Sequence, residues 1–364
     1  MARIITITSG KGGVGKTSIS LNLSLSLASK GFKVCLFDAD LGLANVNILT
    51  GIYPKKDLES VISGQFRLNE IIIKDYQGID IIPGSSGVGK IADLTRTQTG
   101  TLISAFLDLE EYDYFIFDTS AGISSQVLSF CMASHEIILV ATCEPTSLTD
   151  AYSMLKVLSK YEYNSPVKVI INQVKSGKAA QKAYGQLKKT VNKFLPVKLS
   201  PLGIVASDKN VRAAVISQTP FCMLFPDTIA TKCIHSIAHK LMNKAGGISD
   251  MPLELFWDKC LSFLEKHHKP EKEAVSPKET VPKEAVPKET IEEKKEQDPE
   301  IKKVLSHIES KLSGLIKEVS DIKQFLKRSD ASPKRVTAKA LKPPEPKEIS
   351  LDFESWLKKK RLAQ

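Results

Sequence analysis

The stretch SGKGGVGKTS, residues 9–18, limits what this chain can fold into more than any other part of it. Before it stands RIITIT (3–8), a β-branched run that reads as a buried parallel strand. After it, TSISLNLSLSLASK (17–30) has the composition of a helix laid on a sheet, with Gly31 as its C-terminal stop. Gly10 to Thr17 fit G-x-x-x-x-G-K-[ST] in the strand–loop–helix setting that the motif requires. There the backbone N–H groups of Gly10, Lys11, Gly12, Gly13, Val14 and Gly15, with the helix start at Ser18, cradle the phosphates of a nucleotide. Lys16 is expected at the β- and γ-phosphates, and Thr17 offers its hydroxyl to Mg²⁺.

Such a loop needs one lysine, so Lys11 calls for a separate account. Turned inward, it would crowd the charge that Lys16 already supplies. Its better use is to reach across a subunit interface toward phosphates held by a partner, the part an arginine finger plays elsewhere. A solvated lysine on a loop is the plainer alternative.

Carboxylates stand where such a site needs them. KVCLFDAD (33–40) reads as a second strand ending in Asp38 and Asp40, and YDYFIFD (112–118) as another ending in Asp118. Asp118 suits the Mg²⁺ position, acting through water, and the TSAG that follows resembles a γ-phosphate-sensing loop turning at Gly122. Asp40 reads as the group that orients the attacking water, since phosphoryl transfer depends on positioning and electrostatics. Asp38 either faces the metal beside it or caps a helix or turn. Further strands are expected at IDIIP (79–83), EIILVAT (136–142) and VKVIINQV (167–174), with helical stretches between most of them. That alternation predicts an α/β fold, a doubly wound and mostly parallel sheet flanked by helices, with ligands at the carboxyl ends of its strands.

Near residue 250 the character of the chain changes. Residues 251–364 hold 25 Lys+Arg and 21 Asp+Glu, against 26 and 20 in the preceding 250, so charge density roughly doubles. The expected organisation is an ATPase-type domain at 1–247, then an amphipathic helix at 253–268. The helix places Leu253, Phe256, Trp257, Cys260, Leu261 and Leu264 on one side. A membrane surface and the domain itself are the two faces it can meet. A Pro/Lys/Glu-rich disordered linker (269–299) follows, repeating V-P-K-E units. Next come a coiled coil (300–328), with Ile301, Leu305, Ile308, Leu312, Leu315, Val319, Ile322 and Leu326 in its seam, and a basic linker (329–348). A short amphipathic motif (349–364) with basic residues at 358–361 ends the chain.

The net charge of +10 is divided between both parts, which leaves anionic membrane or DNA as partners without choosing between them. Six widely spaced cysteines without a C-x-x-C pair argue against a metal knuckle or disulfide framework and fit a reducing compartment. No apolar run approaches a membrane span, and the first strand begins too early for a leader peptide, so a cytoplasmic location is expected.

With those residues in place, KGGVGKT resembles the deviant Walker A motif of the MinD/ParA ATPases. The resemblance covers residues 1 to about 245 and implies weak, partner-stimulated hydrolysis of ATP with Mg²⁺ in an ATP-bound sandwich homodimer. It implies Lys11 as the lysine that crosses the interface, Asp40 as the water-positioning residue, Asn45 in the first switch segment and Asp118 near the magnesium. It further implies that Asn172 reads the adenine edge while VASDKN (205–210), with Asp208, closes over the base. DADLGLANVNILTG (38–51), FDTSAGIS (117–124), EPTSLTDAY (144–152) and VRAAVISQTPF (211–221) are similar to the FlhG/FleN group within that family. That likeness implies control of flagellar number or placement through reversible binding to the inner face of the cell membrane. The partners it implies are an FlhF-like GTPase, a switch-complex protein or a flagellar transcription regulator. Competing expectations are a ParA-type partition ATPase that binds DNA nonspecifically, and a MinD-type division-site regulator.

Overall fold

In a computed structural model of the chain, the residues described are 2–40, 45–84, 95–109, 112–243 and 251–267. The predicted linkers, coiled coil and terminal motif (269–364) lie outside them.

Eight strands form one sheet: β1 (Arg3–Thr8), β2 (Val34–Ala39), β3 (Ile73–Tyr76), β4 (Ile79–Ile82), β5 (Tyr114–Thr119), β6 (Glu136–Thr142), β7 (Val167–Val174) and β8 (Leu199–Ala206). Their order is β3-β4-β2-β5-β1-β6-β7-β8, and all pairs are parallel except β3 with β4. The described helices are α1 (Lys16–Ala28), α2 (Val46–Thr50), α3 (Leu58–Ile62), α4 (Leu68–Ile71), α5 (Arg96–Leu107) and α6 (Ser125–Ala133). They continue with α7 (Pro145–Lys160), α8 (Gly177–Phe194), α9 (Lys209–Ile216), α10 (Phe221–Leu224), α11 (Ile229–Asn243) and α12 (Leu253–His267). The predicted doubly wound sheet is what the chain forms.

Alternation along the strands builds the two faces. Ile5, Ile7, Leu36 and Ile116 point to the side covered by α1 and α11, while Cys35, Phe37, Phe115 and Phe117 point to the opposite core. Helix α1 alternates serine and leucine as a strand would, yet it is helical and buried almost throughout. Its polar groups make this tolerable by bonding back one turn: Ser20 and Ser24 donate to the carbonyls of Lys16 and Ser20, and Asn22 donates to that of Ser18.

Helix α12 meets the domain. Phe256, Trp257 and Cys260 are fully buried, with the Phe256 ring 4.4 Å from Phe117 and the Trp257 ring 4.6 Å from Phe106. Cys260 Sγ donates to Ser129 Oγ of α6 at 3.2 Å. Farther along, Phe263 lies edge-on to Tyr161 at the end of α7. The apolar stripe read from periodicity is real, and of the two surfaces it could meet, it is seated on the domain and faces the interior. The folded body therefore extends past the boundary expected at 247, and Ala2 and Met251 exchange backbone hydrogen bonds at its base. Among the described residues no helix is long and apolar enough to cross a membrane.

Candidate functional site

The loop predicted to hold phosphates closes the carboxyl end of β1. Gly13 and Gly15 adopt φ of +75° and +90°, which a residue with a Cβ takes up only under strain. Gly10 is required for a different reason. A Cβ there would lie 2.1 Å from the Asp150 carbonyl oxygen, because the backbone of α7 passes directly behind the loop. Val14 is buried, while Gly12 and Gly13 are exposed at the rim.

Inside the loop, Lys16 Nζ donates to Ser9 Oγ at 3.0 Å, and that hydroxyl donates to the Lys11 carbonyl at 2.7 Å. Burial lowers the Lys16 pKa against the opposing pull of Asp118 and Asp40, so its ammonium lies within the field of both carboxylates. Gly122, at φ +98°, ties the segment after β5 to the loop through its N–H to the Ser9 carbonyl at 2.9 Å.

Asp118 and Asp38 are register partners at the ends of β5 and β2, and both are fully buried. Asp118 Oδ1 accepts from Ser20 Oγ at 2.8 Å, whereas its Oδ2 is buried without a hydrogen-bond partner. An orphaned carboxylate oxygen beside the Thr17 and Ser20 hydroxyls fits a hydrated divalent cation. Burial pushes Asp118 up to about 6 while those hydroxyls pull the other way. Burial, and next the charge of Asp118, pushes Asp38 up to about 8.

Asp38, one of the expected metal groups, has other partners. Its Oδ2 accepts from the backbone N–H groups of Asn45 (3.0 Å) and Val46 (3.1 Å), holding the start of α2 in place. These two bonds cap the turn into α2. Asn45 in turn reaches Asp40 Oδ2 with its side-chain amide at 3.5 Å. Asp40 is half-buried, and its charge acts on Lys16, Asp38 and Asp118.

Asn172 lies at the end of β7 but donates to the Val14 carbonyl at 2.7 Å, and Gln173 donates its side-chain amide to the Gly13 carbonyl at 3.3 Å. These two residues brace the loop from outside. Asp208 caps α9 by accepting from the Asn210 N–H at 2.9 Å. Ser18, half-buried in α1, contributes its carbonyl to Asn22. Lys11 points away from its own loop: its Nζ lies 3.1 Å from Glu144 Oε2 and 3.1 Å from Thr146 Oγ1, at the exposed start of α7.

Ser9, Ser20, Gln173, Glu144 and Thr146 are site residues that the sequence did not single out. Ser20 had a usable signal, since it lies three residues after Thr17 and therefore on the same helix face. The others are set by chain segments that meet only in the fold.

A doubly wound sheet carrying this loop, a buried aspartate pair and an early second lysine defines a P-loop nucleotide-binding ATPase of the MinD/ParA class. The family model described as an AAA domain matches residues 2–171. The chain is 39% identical over 240 residues to the antiactivator FleN of Pseudomonas aeruginosa, covering 66% of this chain and 86% of that one. It is 33% identical over 271 residues to the flagellum site-determining protein YlxH of Helicobacter pylori, covering 72% and 90%. Among solved structures, the septum site-determining protein MinD of Pyrococcus horikoshii, complexed with Mg-ADP, superposes with a TM-score of 0.55 at 26% identity, covering 68% and 98%. The chain belongs to the FleN/YlxH branch of the MinD/ParA P-loop ATPases, and it is an ATPase.

Proposed function

We propose that this chain is an ATP-dependent dimerising switch that regulates flagellar number or placement. The observation that carries the reading is the pair of lysines. Lys16 is buried at the loop's centre, whereas Lys11 stands on the rim, turned from its own site toward Glu144 and Thr146. A lysine on the rim that does not face its own loop supports a role at phosphates held by a second copy. One of the relatives reported above, YlxH, is named for determining the site of the flagellum, and the segments similar to the FlhG/FleN group agree, which favours that process over septum placement or DNA partition.

In this reading the residues divide the work. The loop from Gly10 to Gly15 binds the phosphates, and Lys16 orients them. Thr17 and Asp118 would hold a hydrated Mg²⁺, which supplies charge neutralisation at the transferred phosphate. Asp40, beside Asn45 on the switch segment fixed by Asp38, positions the water. Asn172 and Asp208 border the side where the base would lie. The switch would act at the cytoplasmic face of the membrane with flagellar partners such as an FlhF-like GTPase, a switch-complex protein or a transcription regulator. Because the apolar face of α12 is interior, membrane contact through that helix requires its release.

Light scattering after gel filtration tests the switch. Wild-type protein should be a dimer in Mg-ATP and a monomer in Mg-ADP. Asp40→Ala should remain dimeric in ATP with hydrolysis reduced at least about a hundredfold, and Lys11→Ala should neither dimerise nor hydrolyse. Unaltered turnover by a monomeric Lys11→Ala protein would sink the proposal.

A further inference from the structure

Between residues 175 and 200 the chain has seven lysines (175, 178, 182, 188, 189, 193 and 198) and no Asp, Glu or Arg. All seven side chains are exposed, and among the described residues none of them forms an ion pair. Most belong to α8, which buries Ala180, Ala183, Leu187 and Val191 against the domain. At 100° per residue, Lys178, Lys182, Lys189 and Lys193 fall within an arc of about 60° on the opposite side. They form a straight positive stripe about 22 Å long, at 1.5 Å per residue.

A helix face so strongly charged and unpaired is not explained by solubility alone, because soluble surfaces intersperse both signs. It is also distinct from the nucleotide loop, which uses Lys11 and Lys16. At the helix end Phe194 is 61% exposed, with the Lys193 ammonium 5.0 Å from its ring centre, and exposed Pro196 follows. Phe194 lies about 100° round the helix from Lys193, and the contact of its ring with that ammonium sets an exposed aromatic at the edge of the stripe. This matches the chemistry of a bilayer surface, where ammonium groups meet lipid phosphates and a ring enters the headgroup layer. The absence of arginine, whose planar fork is favoured for reading nucleic acid, points the same way.

We propose that α8 is a docking face for anionic phospholipid, with Lys178, Lys182, Lys189 and Lys193 as its charged stripe and Phe194 as its interfacial residue. It requires no release of α12 and is present in a single copy of the chain. Binding through it therefore occurs in ADP as well as ATP, and dimerisation would double the number of stripes. The inference shares the membrane location of the proposed function but not its nucleotide switch.

The test is flotation of the full-length chain with vesicles of phosphatidylglycerol and phosphatidylcholine, in Mg-ADP and in Mg-ATP, at two salt concentrations. A double-stranded DNA fragment is run in parallel. Wild type should bind the anionic vesicles in both nucleotides, weaken with salt and ignore pure phosphatidylcholine. The quadruple variant K178Q/K182Q/K189Q/K193Q should bind about tenfold more weakly or worse, and Phe194→Ala should weaken binding less. Both variants should keep wild-type ATP hydrolysis, because neither touches the loop. The same four charges at the chain's end, K358Q/K359Q/K360Q/R361Q, serve as the control and should leave binding nearly intact. The inference is overturned if wild type ignores anionic vesicles, or if the α8 variant binds them as wild type does. It is equally overturned if the stripe's removal abolishes DNA binding alone. Failure of the dimerisation experiment with α8 binding intact would remove the switch and leave this surface standing.

Discussion

Gly10 shows how closely single residues are fixed in this site. Its missing Cβ makes room for the Asp150 carbonyl, so Gly10→Ala drives either the loop or the start of α7 from its place. The expected cost is about 3 kcal/mol of stability, read by thermal melting, with loss of fluorescent nucleotide binding. The buried aspartates yield a second expectation. Asp38 and Asp118 hold their protons to about 8 and about 6, whereas the unfolded chain releases them near 4. Between those values the folded state binds more protons than the unfolded one, so stability falls as pH rises from about 4 to about 8. Melts across pH 5–8 without Mg²⁺ should show this decline, and Asp38→Asn, which cannot ionise, should flatten it. A steeper decline in that variant would contradict the assignment. The loop lysines, Asp118 and the glycines were legible because their motif is local and its neighbours read as strand and helix. The partners of Asn172 and Asp38 were not, since the groups they bond belong to backbone that only folding brings near.

Among the elements, the interior strands announced themselves as continuous apolar runs, as buried parallel strands do. The two at the sheet's margins did not. β3 is four residues of IKDY, and β8 carries Pro201 and Gly203, which in a sequence read as breakers. The fold explains both residues: Pro201 lies on an edge strand, and Gly203 leaves space that the Ile237 side chain fills, a Cβ there lying 2.5 Å from Ile237 Cγ1. Periodicity identified α12 but was silent on which surface receives it, because a membrane and a domain core demand the same stripe. Its docking has a measurable signature. Trp257→Ala should cost about 3–5 kcal/mol in a thermal or denaturant melt. Trp257→Phe should cost about 1 kcal/mol, since the indole Nε1 is buried without a partner and loses nothing on removal. Equal, negligible effects of both would mean that the helix is not held by this cluster.

Across the described residues, three groupings of charge stand apart from the surface ion pairs Lys56–Glu70 and Lys74–Asp80. The nucleotide end holds the aspartates and loop lysines, and the α8 face holds unpaired lysines. The amino end of the sheet holds a buried trio. There Glu136 of β6 accepts from Arg3 of β1 and Lys168 of β7, and Arg3 also donates to the Leu241 carbonyl near the end of α11 at 2.6 Å. Burial alone would raise the Glu136 pKa, but the Arg3 hydrogen bond and the two positive charges hold it below the usual range. Glu136→Gln leaves two buried cations without their anion and should destabilise the chain by about 3–5 kcal/mol, measured by denaturant unfolding. Nucleotide affinity at the remote end should survive. An unchanged midpoint would show that the three strands do not depend on this trio.

The seat of α12 also governs how shortened versions of this chain behave. Cutting the polypeptide before residue 253 uncovers Phe106, Phe117 and Phe130 together, a contiguous oily patch on an otherwise wettable exterior. Such a fragment should clump, and it should stick to vesicles and plastic alike. A truncation meant to show that the helix carries the protein to lipid would thus manufacture adhesion of its own, and point substitutions in the intact chain are the cleaner instrument.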